Sequence, residues 1–115
     1  MAAPQASPAN RSYAVESVEV LAETPELRMS IFTLGAGQEI PWHWHSNVTD
    51  TYFGMEGVTV IEMRAPAEHF EVGPGATGRV PARRAHHIGG KNGARCKFAL
   101  LQGIGRYDFN PVGGS

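Results

Sequence analysis

The sequence is poor in cysteine and in long apolar runs, and each shortage excludes a class of protein. Its single cysteine, Cys96, excludes an internal disulfide and a cysteine-rich zinc site, and a chain without disulfides fits a reducing cytoplasm. No apolar run approaches the roughly 18 residues of a membrane-spanning helix. The N-terminus also lacks the basic region and apolar core of a signal peptide. We therefore expect a cytoplasmic protein.

Charge of one sign is also scarce, since the formal net charge is −1 at pH 7. Proteins that bind nucleic acid or an anionic membrane surface usually carry a basic patch, because phosphate groups dominate the attraction. The sequence has neither a strongly basic segment nor a pattern typical of a helix-turn-helix. We therefore expect no nucleic-acid partner and no membrane partner, which leaves small molecules and other protein chains.

Turn-forming residues, by contrast, are abundant. Fourteen glycines and eight prolines punctuate the 115 residues, and the apolar residues between them follow no helical period. Roughly eight or nine short strands are expected, which is typical of an all-β sandwich or barrel. The length suits one domain. We expect a flexible N-terminal arm over residues 1–12 and a single barrel domain over residues 13–115.

A strand at about residues 26–34 shows how the core is predicted. Leu27, Met29 and Ile31 alternate along it with Arg28, Ser30 and Phe32, and Leu34 is its last apolar residue. Because neighbouring side chains of a strand point to opposite faces, Leu27, Met29 and Ile31 share one face. The alternation predicts that this apolar face lies in the core.

The segment Pro41-Trp42-His43-Trp44-His45 is the first indication of chemistry. In an extended strand the two histidines share one face and the two tryptophans share the other. The imidazoles are then about 6–7 Å apart along the backbone, from which both can reach one metal ion. Asp50 follows five residues later and can add a carboxylate oxygen. Polar histidines in a wet cavity beside core tryptophans are the plainer interpretation.

Two further positions extend this candidate site. Tyr52 has the same strand parity as Asp50, so its phenol is expected near any ion that Asp50 binds, as a hydrogen-bond donor or proton-transfer group. The alternative is an aromatic residue that fills the barrel. His86 and His87 are adjacent and face opposite sides of a strand, so only one is expected to reach the ion, and a β-bulge can exchange the two.

The segment from Gly37 to Gly57 resembles the first motif of the cupin superfamily, G-x5-H-x-H-x(3,4)-E-x6-G. Gly37, His43, His45 and Gly57 stand at the motif's spacing. Asp50 occupies the position of the motif's glutamate, and its side chain is one methylene shorter. The aspartate can therefore reach an ion directly, bind it through water, or leave three histidines with open positions around the ion.

The second cupin motif, G-x5-P-x-G-x2-H-x3-N, is matched in part between Gly75 and Gly90. Gly75, Pro81 and His86 stand at the motif's positions. Arg83 replaces the motif's second glycine, and Gly90 replaces its asparagine. The motif's spacing selects His86, rather than its neighbour, as the third histidine.

The resemblance covers about residues 27 to 104 and implies a small single-domain protein of the cupin 2-like conserved-barrel type. The implied fold is all-β, a double-stranded β-helix that forms the jelly-roll cupin barrel. The implied cofactor is a divalent metal ion, Fe, Mn, Ni or Zn, bound by four side chains: His43, His45, Asp50 and His86. Tyr52 is the candidate catalytic residue.

Cupins carry many chemistries, so the resemblance leaves the reaction open. The first hypothesis is a metal-dependent small-molecule enzyme, an oxygenase, isomerase, lyase or cyclase, whose metal polarises an oxygenated substrate. The alternative is a non-catalytic module that binds a metal or a small ligand. A small sandwich also leaves sheet edges and apolar outer faces that a second copy can cover, so we expect a homodimer.

Overall fold

A computed structural model describes residues 13–112, and the predicted arm over residues 1–12 lies outside the described residues. The described chain forms ten strands: β1 (Ser17–Thr24), β2 (Leu27–Leu34), β3 (Glu39–Trp44), β4 (Thr49–Glu56), β5 (Thr59–Met63), β6 (Glu68–Val72), β7 (Thr77–Val80), β8 (His86–Gly90), β9 (Cys96–Gly103) and β10 (Asn110–Pro111). Across residues 13–112, no helix has the length and apolar character that a membrane span requires.

The strands form two five-stranded sheets in which every pairing is antiparallel. The spatial order is β1-β2-β9-β4-β7 in the first sheet and β10-β3-β8-β5-β6 in the second. Most neighbours in each sheet are distant in sequence, because the chain passes repeatedly from one sheet to the other. This is a jelly roll, and the predicted double-stranded β-helix is confirmed.

The core lies between the inner faces of the two sheets. Phe98 of β9 is fully buried there and stacks on Phe32, with ring centroids 5.5 Å apart and planes tilted by 2°. Tyr52 also packs against Phe98. Cys96 is buried in this core, and burial raises the pKa of its thiol, so that it stays protonated and packs as a small apolar residue.

The predicted orientation of β2 is wrong. Arg28 and Ser30 lie on its inner face together with Phe32 and Leu34. The apolar residues expected in the core are half-buried on the outer face: Leu27, Met29 and Ile31. Because β2 carries apolar residues on both faces, its period does not decide which face turns inward. The packing of Phe32 and Leu34 in the core decides it, and it brings an arginine inside the barrel.

A tight turn at Gly57 connects β4 and β5. Gly57 has a φ of +66°, and a Cβ at this position would lie 2.5 Å from the carbonyl oxygen of Arg95. Both observations exclude a larger residue, because the positive φ favours glycine and the backbone contact leaves no room. This turn returns the chain from the first sheet to the second.

Candidate metal centre

His43 of β3 and His45, just past the end of that strand, are two of the candidate ligands, and a bulge in β3 sets their direction. The register between β3 and β8 shifts between Ile40 and His43, so both side chains are buried although they are three positions apart. Strict alternation from Ile40 would instead turn Trp42 inward. Beyond the bulge, His43 and His45 are each 3% exposed and share the inner face, as expected.

The third histidine comes from β8. His86 pairs with His43 across the two strands and is buried on the same inner face. Its neighbour His87 lies on the opposite face, where its Nε2 is 2.8 Å from Oε1 of Glu39. Of the two adjacent histidines, the structure therefore brings His86 to the other candidate ligands and keeps His87 away from them.

Strand β4 contributes Asp50 and Tyr52, whose side chains meet as their shared parity predicts. The Tyr52 hydroxyl donates a hydrogen bond of 3.0 Å to Oδ2 of Asp50. The Gln102 amide donates one of 3.1 Å to Oδ1 from β9. Both carboxylate oxygens are therefore fixed in direction. No motif marks Gln102, whose place opposite Asp50 follows from the pairing of β4 with β9.

The four candidate ligands converge on one point. One ligand atom from each of His43, His45, Asp50 and His86 lies within 4.8 Å of all the others. Oδ2 of Asp50 is 3.2 Å from Nε2 of His45 and 3.1 Å from Nε2 of His86. Nitrogen and oxygen ligands at about 2.0–2.2 Å from a metal ion lie about 3–3.5 Å from their neighbours around it. The spacing of these atoms therefore suits a common ion.

Each of the three histidines uses its Nδ1 atom for a hydrogen bond to a backbone carbonyl. The Nδ1 atoms of the three histidines lie 2.7, 2.6 and 2.8 Å from the carbonyl oxygens of Pro41, Asp108 and Arg84, respectively. A carbonyl oxygen can only accept a hydrogen bond, so each Nδ1 carries a proton and donates it. This arrangement fixes the tautomer and leaves each Nε2 with a lone pair, as in metal-binding histidines.

With a lone pair on each Nε2 atom, the cluster holds several hydrogen-bond acceptors and no positive charge between them. In this tautomer, Nε2 of His45 and Nε2 of His86 each face Asp50 Oδ2, acceptor against acceptor. Nε2 of His45 is buried and has no hydrogen-bond partner of suitable geometry within residues 13–112. Buried acceptors this close require a cation between them, which is either a proton or a metal ion. Three imidazoles and a carboxylate form a donor set that suits a borderline divalent metal.

The ionisation of the cluster follows from burial and from its own hydrogen bonds. Burial, with the nearby His86 and His45, lowers the pKa of His43 to about 3 and keeps this imidazole neutral. Burial also disfavours a charged His45, but its contact with Asp50 outweighs this and raises the pKa of His45. Burial opposes ionisation of Asp50, yet the two histidines hold its pKa well below the ordinary range. The carboxylate is therefore charged at neutral pH.

Tyr52 keeps its proton in this environment. Burial, and then the negative charge of Asp50, raise the pKa of the Tyr52 phenol well above its ordinary value. The hydroxyl is consequently a hydrogen-bond donor at neutral pH, directed at the carboxylate oxygen that lies nearest to the imidazoles. The candidate catalytic residue thus lies next to the candidate ligands, in contact with one of them.

Residues 107–110 close one side of the cluster, and no sequence motif predicts this contribution. Phe109 stacks on the His43 ring, with centroids 4.4 Å apart and planes tilted by 16°. The Asp108 carbonyl orients His45, while its carboxylate accepts hydrogen bonds from the backbone N–H and the hydroxyl of Ser46. Strand β10 then pairs with β3. This segment therefore covers the His43 ring and fixes the direction of His45.

The sequence matches no protein-family model and no curated protein. Among solved structures it is similar to a cupin superfamily protein from Desulfitobacterium hafniense, with 24% identity and a TM-score of 0.67 over 79% of this chain and 81% of that one. A cupin-2 domain-containing protein from Shewanella frigidimarina shares 21% identity at a TM-score of 0.64, over 78% of this chain and 82% of that one.

An oxalate decarboxylase variant from Bacillus subtilis is also similar, with 17% identity and a TM-score of 0.73 over 89% of this chain and 29% of that one. The chain spans 27% to 30% of the length of the oxalate decarboxylases that it resembles. At these identities the likeness shows the fold. The chain has the fold of a small cupin-type domain, and the expected cupin barrel is confirmed.

Proposed function

We propose that the protein binds a divalent metal ion through Nε2 of His43, His45 and His86 and the carboxylate of Asp50, and that it is a metal-dependent enzyme acting on a small oxygenated molecule. The observation that carries this proposal is the use of all three Nδ1–H groups by backbone carbonyls. Their Nε2 lone pairs, together with an ionised carboxylate, are left for one cation.

The protein's own residues have distinct roles around such an ion. A bound divalent ion supplies Lewis-acid polarisation of a substrate oxygen. Gln102 and Tyr52 hold the two oxygens of Asp50 in place, and Phe109 shields His43 from water. Tyr52 is the candidate catalytic residue because its protonated hydroxyl, whose oxygen lies 3.0 Å from Asp50 Oδ2, is a hydrogen-bond donor next to the candidate ligands.

A solved structure of the same fold supports the enzyme class. The oxalate decarboxylase from Lactobacillus farciminis, 16% identical with a TM-score of 0.70, is described as a formate complex. That enzyme therefore takes a small oxygenated anion. For the present protein this supports a small-molecule enzyme, while the reaction stays open among oxygenase, isomerase, lyase and cyclase activities.

Elemental analysis and ligand exchange test the proposal. The purified protein is expected to contain a stoichiometric amount of Fe, Mn, Ni or Zn. A catalytic ion keeps an open coordination position, so added citrate should change the metal's spectrum or its effect on water-proton relaxation. If citrate changes neither the metal's spectrum nor the water-proton relaxation, the result would favour the non-catalytic binding module. A protein that takes up none of the four metals, even when supplied with them, would contradict the proposal.

Metal affinity is expected to fall as the pH is lowered from about 8 to about 6. The raised pKa of His45 means that the metal-free protein holds this proton more tightly than an ordinary imidazole, so an incoming ion must displace it. His43 adds no proton in this range, because its pKa is about 3. Below the His45 pKa, the dissociation constant should rise about tenfold per pH unit.

Competition with a chelating indicator at several pH values measures this dependence. Calorimetry in two buffers of different ionisation enthalpy counts the protons released on binding. An affinity independent of pH across this range, with no proton release, would show that the ion does not replace the proton of His45.

A further inference from the structure

A buried arginine lies on the inner face of the barrel beside the cluster. Arg28 of β2 is 9% exposed, and its Nε has no hydrogen-bond partner within residues 13–112. That same Nε forms an ion pair with Oε2 of Glu23 at 3.4 Å, without hydrogen-bond geometry, and the guanidinium carbon lies 4.1 Å from the ring centroid of Tyr107. Buried arginines are normally paired and hydrogen-bonded, because removing this charge from water is costly. The Arg28 guanidinium therefore has unused donors.

The strand register connects this arginine to the candidate metal centre. Arg28 pairs with Gln102 of β9, and Gln102 pairs with Asp50 of β4. All three side chains are buried on the inner face, where Gln102 donates its hydrogen bond to Asp50. Two interstrand spacings separate the Arg28 and Asp50 backbones by about 10 Å. A small molecule held by Arg28 thus lies one side chain away from the cluster.

A cavity of about 200 Å³ opens beside this polar row. Its lining includes Glu23, Arg28, Gln102, Arg106 and Tyr107. The Tyr107 ring is 5.3 Å from that of His45, so the cavity adjoins the cluster at a second place. Two guanidinium groups and one carboxylate give this lining a positive charge of one. The cavity has room for a small organic anion, since one water molecule needs only about 10–15 Å³ of such volume.

We propose that this cavity binds the carboxylate of a small monocarboxylic acid, with Arg28 as its principal contact, at a site separate from the candidate metal ligands. The planar guanidinium donates two parallel hydrogen bonds to a carboxylate. A single positive charge matches this monoanion better than a phosphate group, which carries nearly two negative charges.

Calorimetric titration of the full chain with acetate, propionate and glycolate tests the site, with the corresponding amides as uncharged controls. The acids are expected to bind at least about tenfold more tightly than the amides, since hydrogen bonds to charged groups are the stronger ones. Arg28→Gln should weaken acid binding by about 10- to 100-fold and leave amide binding unchanged. Wild-type protein that binds none of the acids, or an equal affinity in the variant, would overturn the proposal.

Glu23→Gln gives a test of opposite sign at an exposed position. The Glu23 carboxylate competes for the guanidinium that the acid must use, so this variant should bind the acids several-fold more tightly. If Arg28 were merely structural, Glu23→Gln would leave acid binding unchanged or weaken it, and either result overturns the proposal. This measurement also stands if Arg28→Gln does not fold.

Two further measurements separate this site from the metal centre and from a structural role. Arg28→Met without acid should have an unfolding temperature equal to or above that of the wild type, since it replaces a buried charge, paired only with the half-exposed Glu23, by an apolar side chain. A lower temperature, with acid binding unaffected, would assign Arg28 to structure alone. Arg28→Gln should keep the wild-type metal content. A protein that binds the acids but takes up no metal would contradict the proposed function only. A protein that binds a metal ion, but binds the acids equally well with and without Arg28, would contradict this inference only.

Discussion

Replacing His86 with alanine is expected to abolish metal binding while the protein keeps its all-β fold. His86 supplies one of the three Nε2 lone pairs of the cluster and lies 3.1 Å from Oδ2 of Asp50. Loss of a residue that merely orients a ligand costs about 10–100-fold in metal affinity, so loss of the ligand itself should cost more than about 100-fold. Metal analysis after dialysis, with far-UV circular dichroism, measures both outcomes.

His87→Ala is the matched control for that variant. The two histidines are adjacent on β8, but His87 faces outward between Glu39 and Glu62, at 2.8 and 3.4 Å. This control should keep the wild-type metal content, because its imidazole is remote from the cluster. If His87→Ala lost the metal and His86→Ala kept it, His87 and not His86 would be the third histidine ligand. Full metal content in both variants would show that His86 is not a ligand.

The largest expected loss of stability comes from Gly90→Ala, at the end of the same strand. A Cβ at Gly90 would lie 1.7 Å from the carbonyl oxygen of Ala94, and backbone is unable to swing aside as a flexible side chain does. Gly90 has an extended φ of −79°, so the cost is steric and not conformational. We expect a loss of about 3 kcal/mol or more from a total of about 5–15 kcal/mol.

Gly89→Ala is the neighbouring control. The atoms nearest to a Cβ at Gly89 belong to the side chains of Glu39 and His87, at 3.7 and 3.9 Å, which is ordinary contact. This variant should therefore stay within about 0.5 kcal/mol of the wild type. Urea unfolding of the metal-free proteins provides the comparison. Equal unfolding midpoints for the two variants would mean that the backbone after β8 moves to admit the Gly90→Ala methyl group without a loss of stability, which would contradict this prediction.

Local pattern predicted the all-β class, while the resemblance to the two cupin motifs implied the jelly roll and the convergence of the four candidate ligands. Frequent turns between short apolar runs indicated strands, and strand parity placed His43 beside His45 and Asp50 beside Tyr52. The motif's spacing added His86. Their role as metal ligands stays a prediction, as do the homodimer and the cytoplasmic location.

The features that could not be predicted depend on contacts between distant residues. Apolar residues on both faces of β2 concealed that Arg28 turns inward, because the decision lies with the packing of Phe32 and Leu34. Gln102 meets Asp50 only through the pairing of β9 with β4. The carbonyl of Asp108 reaches His45 from 63 positions along the chain. Register and long-range pairing leave no local pattern in the sequence.

The distance along the chain between His45 and Asp108 sets an order of assembly during protein synthesis. All four candidate ligands have been translated once the ribosome has added His86, but the carbonyl that fixes His45 is added 22 residues later, by the difference in residue number. At about 5–20 residues per second, that interval is roughly one to four seconds. Until Asp108 is added, His45 lacks the carbonyl that holds its imidazole in its final direction, so loading in the final geometry follows translation of Asp108.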